Sequence, residues 1–468
     1  MSREKDFAKN TVILGLGRFL PKLVSLVTLP IVTANLTKAE YGVYDLLVTL
    51  VSLLIPVATL QIQSAAFRFL IDHRKDEQRK GEIISGIYAV SAPIAAIISV
   101  GIAIYFEDVS MTSRVLIGLY FLLDTFYQTT SQCIRGLGAN KDYAIASVLV
   151  SVIDGVGIVL GVQLAKRGLE GVLLAVVIAH FVATVFMMLR TNVFRYLRIT
   201  QVKGAAIKEM LAYSWPMVPN NLSTWVLKLS DRLVITAFLG IEANAVYAVA
   251  NKIPNLLNIA QQVMVMAWHE NASIAVKDPD ADKYYSSMFD RIFCLLVGCT
   301  AILIACTPIM FWLLIRGDYD DAYIQIPILI MGTFFFTISS FQGGIYIAHK
   351  RTKNVGVTTM VAAAINLIID LLFVNVIGVT AGSVSTLTAY FVLFVYRAID
   401  VKKFQPIRYN VRKIIGLLAI IAAMLILCSL RIMWVDVLNI VMGILIFYII
   451  NRTFIKGVLN KVLMMRKH

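Results

Sequence analysis

About fourteen stretches of predominantly apolar residues recur along this chain, each roughly twenty residues long, the length that one α-helix needs to cross the hydrocarbon of a bilayer. They run approximately over 11–36, 44–67, 83–106, 115–136, 143–164 and 168–189, then over 213–239, 246–268, 288–313, 323–348, 355–377 and 380–398. A basic segment, 190–209, separates these two sets of six, and a second basic linker, 397–413, leads to two last stretches at 414–430 and 434–455. With 59% hydrophobic and 15% charged residues, the chain lies well away from soluble globules, which are about half apolar and a quarter charged. The first stretch is too long for a signal-peptide core and contains Arg18 and Lys22, so it reads as the first span. The five cysteines show neither metal-ligand nor disulfide-framework spacing, and no metal or cofactor is expected.

Orientation follows from the loops. Assigning them alternately to two sides places about 30 Lys and Arg on the N-terminal side and about six on the other, the asymmetry of a cytoplasmic basic side. Both termini are then cytoplasmic. The net charge of +15 sits in these loops, so lipid headgroups rather than nucleic acid are its expected partners. No loop is long enough for a separate soluble domain.

The two sets of six resemble each other. Leu36, Val43 and Tyr44 match Leu239, Val246 and Tyr247 at one offset, and Gly168, Gly171, Ala179 and Phe181 match Gly378, Ala381, Ala389 and Phe391 at another. A repeat with an even number of spans returns the chain to its starting side, so the copies are related by a pseudo-two-fold along the membrane normal, with a substrate cavity expected between them. The expected fold is therefore all-α and integral to the membrane: a six-helix lobe over 1–195, a second over 196–401, and two additional helices with a basic tail over 402–468.

Several spans carry groups that lipid does not tolerate. An ionised side chain at mid-bilayer costs roughly 2.5 to 3.5 kcal/mol on insertion scales unless it pairs or meets water. Arg18 and Lys22 stand four apart on the first span, Lys228 and Arg232 four apart on the seventh, and Lys252 on the eighth. They form either a basic ladder that draws an anion through a cavity or salt bridges to Asp45, Asp124, Asp154, Asp231 and Asp370. On the eighth span Asn251, Asn255, Asn258 and Gln262 step along one helical face, which suits sugar hydroxyls or amide contacts between helices. Asp124 and Asp154 lie deep in the fourth and fifth spans, where they either couple to an ion or pair with Arg18 or Lys22. Pro56, Pro254 and Pro308 are candidate kinks. No catalytic residue is assigned: the chain lacks HExxH, a P-loop, a dinucleotide fingerprint, paired CxxC and a nucleophile elbow.

The run EYGVYDLLVTLVSLLIPVATLQIQSAAFRF, from Glu40 to Phe69, resembles the opening of Wzx-type polysaccharide flippases of the multidrug/oligosaccharidyl-lipid/polysaccharide exporter superfamily. So do YSWPMVPNNLSTWVLKLSDRLVITAFLGIEANAVYAVANKIP from Tyr213, with Pro216 and the pair Asp231 and Arg232, and YDDAYIQIPILIMG from Tyr319 to Gly332. His269 and Glu270 depart from the pattern. The resemblance implies two six-helix lobes around a cationic cavity formed in part by Arg18, Lys22, Lys228 and Arg232. It implies alternating access and transfer of undecaprenyl-pyrophosphate-linked oligosaccharide to the outer leaflet of a bacterial or archaeal cytoplasmic membrane, for O-antigen, capsule or exopolysaccharide. A polysaccharide polymerase and glycosyltransferases are the expected protein partners, and an H+ or Na+ gradient or the membrane potential the expected drive. The alternative is a multidrug or small-molecule cation antiporter of the same superfamily, and an enzyme is not expected.

Overall fold

The computed structural model describes residues 21–276, 278–452 and 455–456. Every regular element among them is helical. A helix covers 21–35 (α1), followed by α2 (Lys38–Ala58), α3 (Ile62–Asp72), α4 (Glu77–Tyr105), α5 (Met111–Leu137), α6 (Asn140–Ile158) and α7 (Gly168–Arg190). A short α8 (Gly204–Ser214) leads into α9 (Met217–Leu239), α10 (Ile241–Ala250), α11 (Asn255–Ala275), α12 (Ala281–Ala305) and α13 (Thr307–Leu314). The chain ends in α14 (Ala322–Ala348), α15 (Thr352–Ile377), α16 (Thr380–Val401), α17 (Val411–Ser429) and α18 (Met433–Ile450).

Ten described helices are long and apolar enough to cross a membrane: α2, α4, α6 with its continuation to Leu164, α7, α12, α14, α15, α16, α17 and α18. The other expected spans correspond to α1, α5, α9 and the α10–α11 pair, and all but α1 owe their lower hydropathy to polar residues discussed below. The protein is thus an all-α, multi-pass membrane protein.

Three expected spans are interrupted rather than continuous. The second breaks at Thr59–Gln61, where Leu60 and Gln61 take φ of 48° and 55°, just after Pro56 in the last turn of α2. The eighth breaks at 251–254, with Pro254 at the N-cap of α11. The ninth begins earlier than its hydropathy suggests, at Ala281, and stops at Ala305 before Pro308 in the first turn of α13. A proline without an N–H removes one intrahelical bond and biases the preceding residue away from helix, so each of these interruptions falls beside one. Pro93 and Pro327 lie inside unbroken helices.

Two compact units meet within α9, one ending at Trp225 and the other starting at Val226. Their internal packing follows the same order. In the first, α5 and α6 pack on α7, and α3 and α4 pack on α5; in the second, α14 and α15 pack on α16, and α11 and α12 pack on α14. Matched positions agree as well. Gly168 and Gly378 both turn through positive φ, 52° and 59°; Ala179 and Ala389 are both fully buried, and Phe181 and Phe391 are both exposed. The internal repeat read from the sequence is therefore a repeat of structure.

Small residues set the closest helix contacts, as expected where packing rather than hydrophobicity drives association. After α6 the helix widens into a π-helical turn, Val159–Leu164. A Cβ on Gly161 would lie 2.9 Å from the Gly171 Cα, and one on Gly171 would lie 2.7 Å from the Gly161 carbonyl, so neither position admits a side chain without the backbones moving apart. The α2 N-terminus closes with a capping box: the Glu40 amide donates to the Thr37 hydroxyl, and the Thr37 amide donates to the Glu40 carboxylate at 2.9 Å. The other Glu40 oxygen accepts the Leu169 amide at 3.0 Å, tying α2 to the start of α7. In the second unit α12 packs against both α17 and α18, so the additional helices seat on its outer side.

Candidate functional site

In the second unit four helices bring a polar cluster into the apolar interior. Asp231 on α9 and Asp370 on α15 are 2% and 1% exposed, and their carboxyls face each other within hydrogen-bonding range. The Tyr247 hydroxyl from α10 and the Thr386 hydroxyl from α16 each donate to Asp231 Oδ2 at 2.6 Å. The Ser385 hydroxyl donates to Asp370 Oδ1 at 2.7 Å. Asn366 donates to Ser385 at 3.1 Å and accepts from Ser230 at 3.3 Å. Gly382 makes the arrangement possible, because a Cβ there would lie 3.0 Å from the Tyr247 ring.

One oxygen of each acid is left over. Asp231 Oδ1 and Asp370 Oδ2 are buried and accept no hydrogen bond among the described residues. Two carboxylates in contact repel strongly in low dielectric and do not both ionise without compensation. The pair therefore fits one added positive charge, either a shared proton or a small hard cation. The nearby oxygens of Asn366, Thr386 and Gly382 are the donor type such cations prefer. Among the described residues no group of three or more His, Cys, Asp or Glu could hold a metal ion.

The first unit holds a different cluster. Asp124 on α5, 8% exposed, lies 3.7 Å from His180 Nε2 on α7 and accepts from Gln128 at 3.2 Å. His180 Nδ1 contacts the Val176 carbonyl at 2.7 Å, and the Tyr120 and Tyr127 rings meet the imidazole edge-on. Asp154 on α6 is half-buried, with Tyr44 of α2 beside it. The partner found for Asp124 is thus a histidine from its own unit.

The expected cavity residues separate into groups. Arg18 lies outside the described residues, and Lys22 is half-buried on α1. Lys228 is exposed on α9 with its ammonium 4.7 Å from the centre of the Phe336 ring, and Arg232 is half-buried one turn further on. Lys252 lies in the turn between α10 and α11. That turn also divides the amide stripe: Asn251 bonds back to the Tyr247 carbonyl at 2.9 Å, whereas Asn255, Asn258 and Gln262 share α11, with Asn258 donating to Asn255 at 2.9 Å. Asn255 and Gln262 are exposed.

The Asp231–Asp370 pair is what sequence reasoning missed, since it counted both acids only as salt-bridge partners for lysine and arginine. An available signal was that Asp370 is the one acidic residue in the apolar stretch 355–377 and has no basic residue one helical turn away.

Comparison with solved structures gives the same architecture at low identity. The Lipid II flippase MurJ in an inward closed conformation superposes with a TM-score of 0.72 at 13% identity, covering 96% of this chain and all (100%) of that one. A multidrug resistance MATE family transporter of the MOP superfamily, inward-facing, gives 0.70 at 13% identity over 83% of this chain and 98% of that one. A MOP superfamily transporter from Pyrococcus furiosus, described as having a binding pocket of reverse polarity, gives 0.57 at 13% identity over 84% and 95%. Among curated proteins no sequence matches. The sequence profile described as "Polysaccharide biosynthesis protein" matches residues 7–269. That match spans more than half of the chain, through the first unit and on through α10 and most of α11, and the protein belongs to the polysaccharide biosynthesis protein family, built on the fold of MOP-superfamily transporters.

Proposed function

We propose that this protein is a flippase that carries a polyprenyl-pyrophosphate-linked oligosaccharide from the cytoplasmic to the outer leaflet by alternating access, for assembly of a surface polysaccharide. The observation that carries this reading is the exposed Lys228 on a membrane-spanning helix of a polysaccharide biosynthesis family member. An ammonium in a span is too costly to face acyl chains, so it faces the interior of the bundle, where it can attract a pyrophosphate. Asn255 and Gln262, exposed on α11, offer both donors and acceptors to sugar hydroxyls. The polyprenyl tail stays in lipid while the headgroup passes.

The Asp231–Asp370 pair supplies the coupling in this reading: Asp231, Asp370, Asn366 and Thr386 hold the cation or proton, and its release changes the charge balance between α9 and α15. The membrane potential adds to this, at about 2.3 kcal/mol per charge per 100 mV, by favouring outward movement of anionic headgroups. The membrane is the bacterial or archaeal cytoplasmic membrane, with both termini inside, and a polymerase and glycosyltransferases act before and after the transfer.

Charge reversal tests the proposal. Lys228→Glu and Arg232→Glu, inserted at wild-type levels, are expected to abolish surface glycan export in a strain deleted for the chromosomal copy. Undiminished export by both variants overturns the cationic path. A second reading, a drug antiporter, is favoured by the fit to the MATE transporter. It requires that the deletion strain become drug-sensitive while its surface glycan stays intact.

A further inference from the structure

Outside the clusters above, a cavity of about 540 Å³ lies on the second unit, between α12, the start of α17 and the end of α18. Its volume falls within the usual range for a small-molecule site, about 300 to 1,000 Å³. Its lining is apolar at Met288, Ile292, Leu295 and Ile450 and charged at Asp290, Arg291 and Lys413. Asn451 also lines it, buried and donating to the Cys294 carbonyl at 3.2 Å.

The charges do not cancel. Lys413 Nζ meets both Asp290 oxygens, at 2.8 and 2.9 Å, so these two neutralise each other. Arg291 is exposed and forms no ion pair among the described residues. The cavity therefore presents one uncompensated guanidinium above an apolar wall. The helix ends that frame it adjoin the basic linker with Lys402, Lys403, Arg408 and Arg412, which marks the side of the membrane where anionic lipids are attracted. A guanidinium forks onto two oxygens of one phosphate.

We propose that this cavity binds one anionic phospholipid of the inner leaflet, its phosphodiester on Arg291 and an acyl chain along Ile292, Leu295 and Ile450. The match is one uncompensated charge to one phosphodiester, with chain and wall both apolar. The bound lipid wedges α17 and α18 against α12. This site lies away from the acid pair and from Lys228, so its failure leaves the transport proposal untouched.

The test uses the full-length protein in neutral detergent. Phosphatidylglycerol is titrated against phosphatidylcholine, and the thermal midpoint and the mass of the intact protein–lipid complex are recorded. The wild type is expected to retain one phosphatidylglycerol and to gain in midpoint with that lipid only. Arg291→Gln should bind it roughly ten- to a hundredfold more weakly, the loss of a charge-assisted hydrogen bond, and Arg291→Lys should keep part of the effect. Arg291 is exposed, so neither change threatens folding. Glycerol phosphate or inorganic phosphate at equal concentration should leave the midpoint unmoved. Unchanged phosphatidylglycerol binding by Arg291→Gln, equal stabilisation by free phosphate, or displacement of the lipid by polyprenyl pyrophosphate at stoichiometric concentration each overturns the proposal.

Discussion

Replacing Asp370 by asparagine separates a cation-dependent acid pair from a merely structural one. Two ionised carboxylates about 4 Å apart repel by about 4 kcal/mol at an effective dielectric of 20, roughly a thousandfold in population. Under the proposed coupling, a bound proton or cation removes that repulsion in the wild type. In Asp370→Asn the amide oxygen still accepts from Ser385, which now stands 2.7 Å from Asp370 Oδ1. Its NH2 donates to Asp231 Oδ1, which at present accepts nothing among the described residues. The variant thus replaces one buried oxygen by a donor that hydrogen-bonds the other, without an occupant. The assay is thermal unfolding of the purified protein, with Na+ exchanged for choline at fixed ionic strength and then across pH. If the cation binds only the folded state, the wild type gains about 2.7 kcal/mol at a hundredfold excess over the dissociation constant. It should therefore melt later as cation or proton concentration rises, whereas Asp370→Asn should be flat and should not export glycan. A variant that keeps the wild-type shift, or exports normally, refutes the role given to the pair. Asp231→Ala is the contrasting control: it removes the acceptor that the Tyr247 and Thr386 hydroxyls now meet at 2.6 Å, leaving them the longer contacts to Gly382 and to each other, and should cost about 1 to 3 kcal/mol of stability under all conditions.

Two further substitutions probe the scaffold. Gly171→Val pushes side-chain carbon into the Gly161 backbone, and about 1 to 3 kcal/mol of lost stability is expected, read as a lower melting midpoint with normal insertion; Gly204→Val, with open space around it, removes only the glycine effect. Glu40→Ala loses both the capping box and the bond to the Leu169 amide. It should destabilise by about 2 kcal/mol, while Thr37→Ala, which loses the cap alone, should cost about 1 kcal/mol, both measured by the same unfolding.

The membrane architecture was legible because a helix in lipid must satisfy its own backbone and cover itself with apolar side chains, and both demands are local. The repeat was legible for the same reason: Gly168 and Gly378 are needed where the chain turns through positive φ, and the site of each turn is written in one residue. The interruptions were only half legible. Pro56, Pro254 and Pro308 flank breaks, but Pro93 and Pro327 do not, because neighbouring helices decide whether a freed carbonyl is re-satisfied. Least legible was pairing. Asp231 meets Asp370, and Asp124 meets His180, across helices remote in sequence, and a list of embedded acids and bases does not say which of them touch. Charge alone favoured acid against base. Among the described residues, Asp231 has an acid beside it and Asp124 an imidazole.

Those two pairings show how one repeated scaffold supports different chemistry in its halves. The packing positions are shared, as Ala179 and Ala389 show by being fully buried in both, since helix contact allows little latitude in size. The polar positions are not shared. In the first unit Asp124 has the His180 imidazole beside it, 3.7 Å away. In the second, Asp231 and Asp370 have hydroxyl donors for only one oxygen each. A repeat whose two halves held identical self-neutralised clusters would have nothing to exchange with solvent. Under the proposed coupling the second cluster takes its missing charge from outside, and it is on this half that an ion gradient would act.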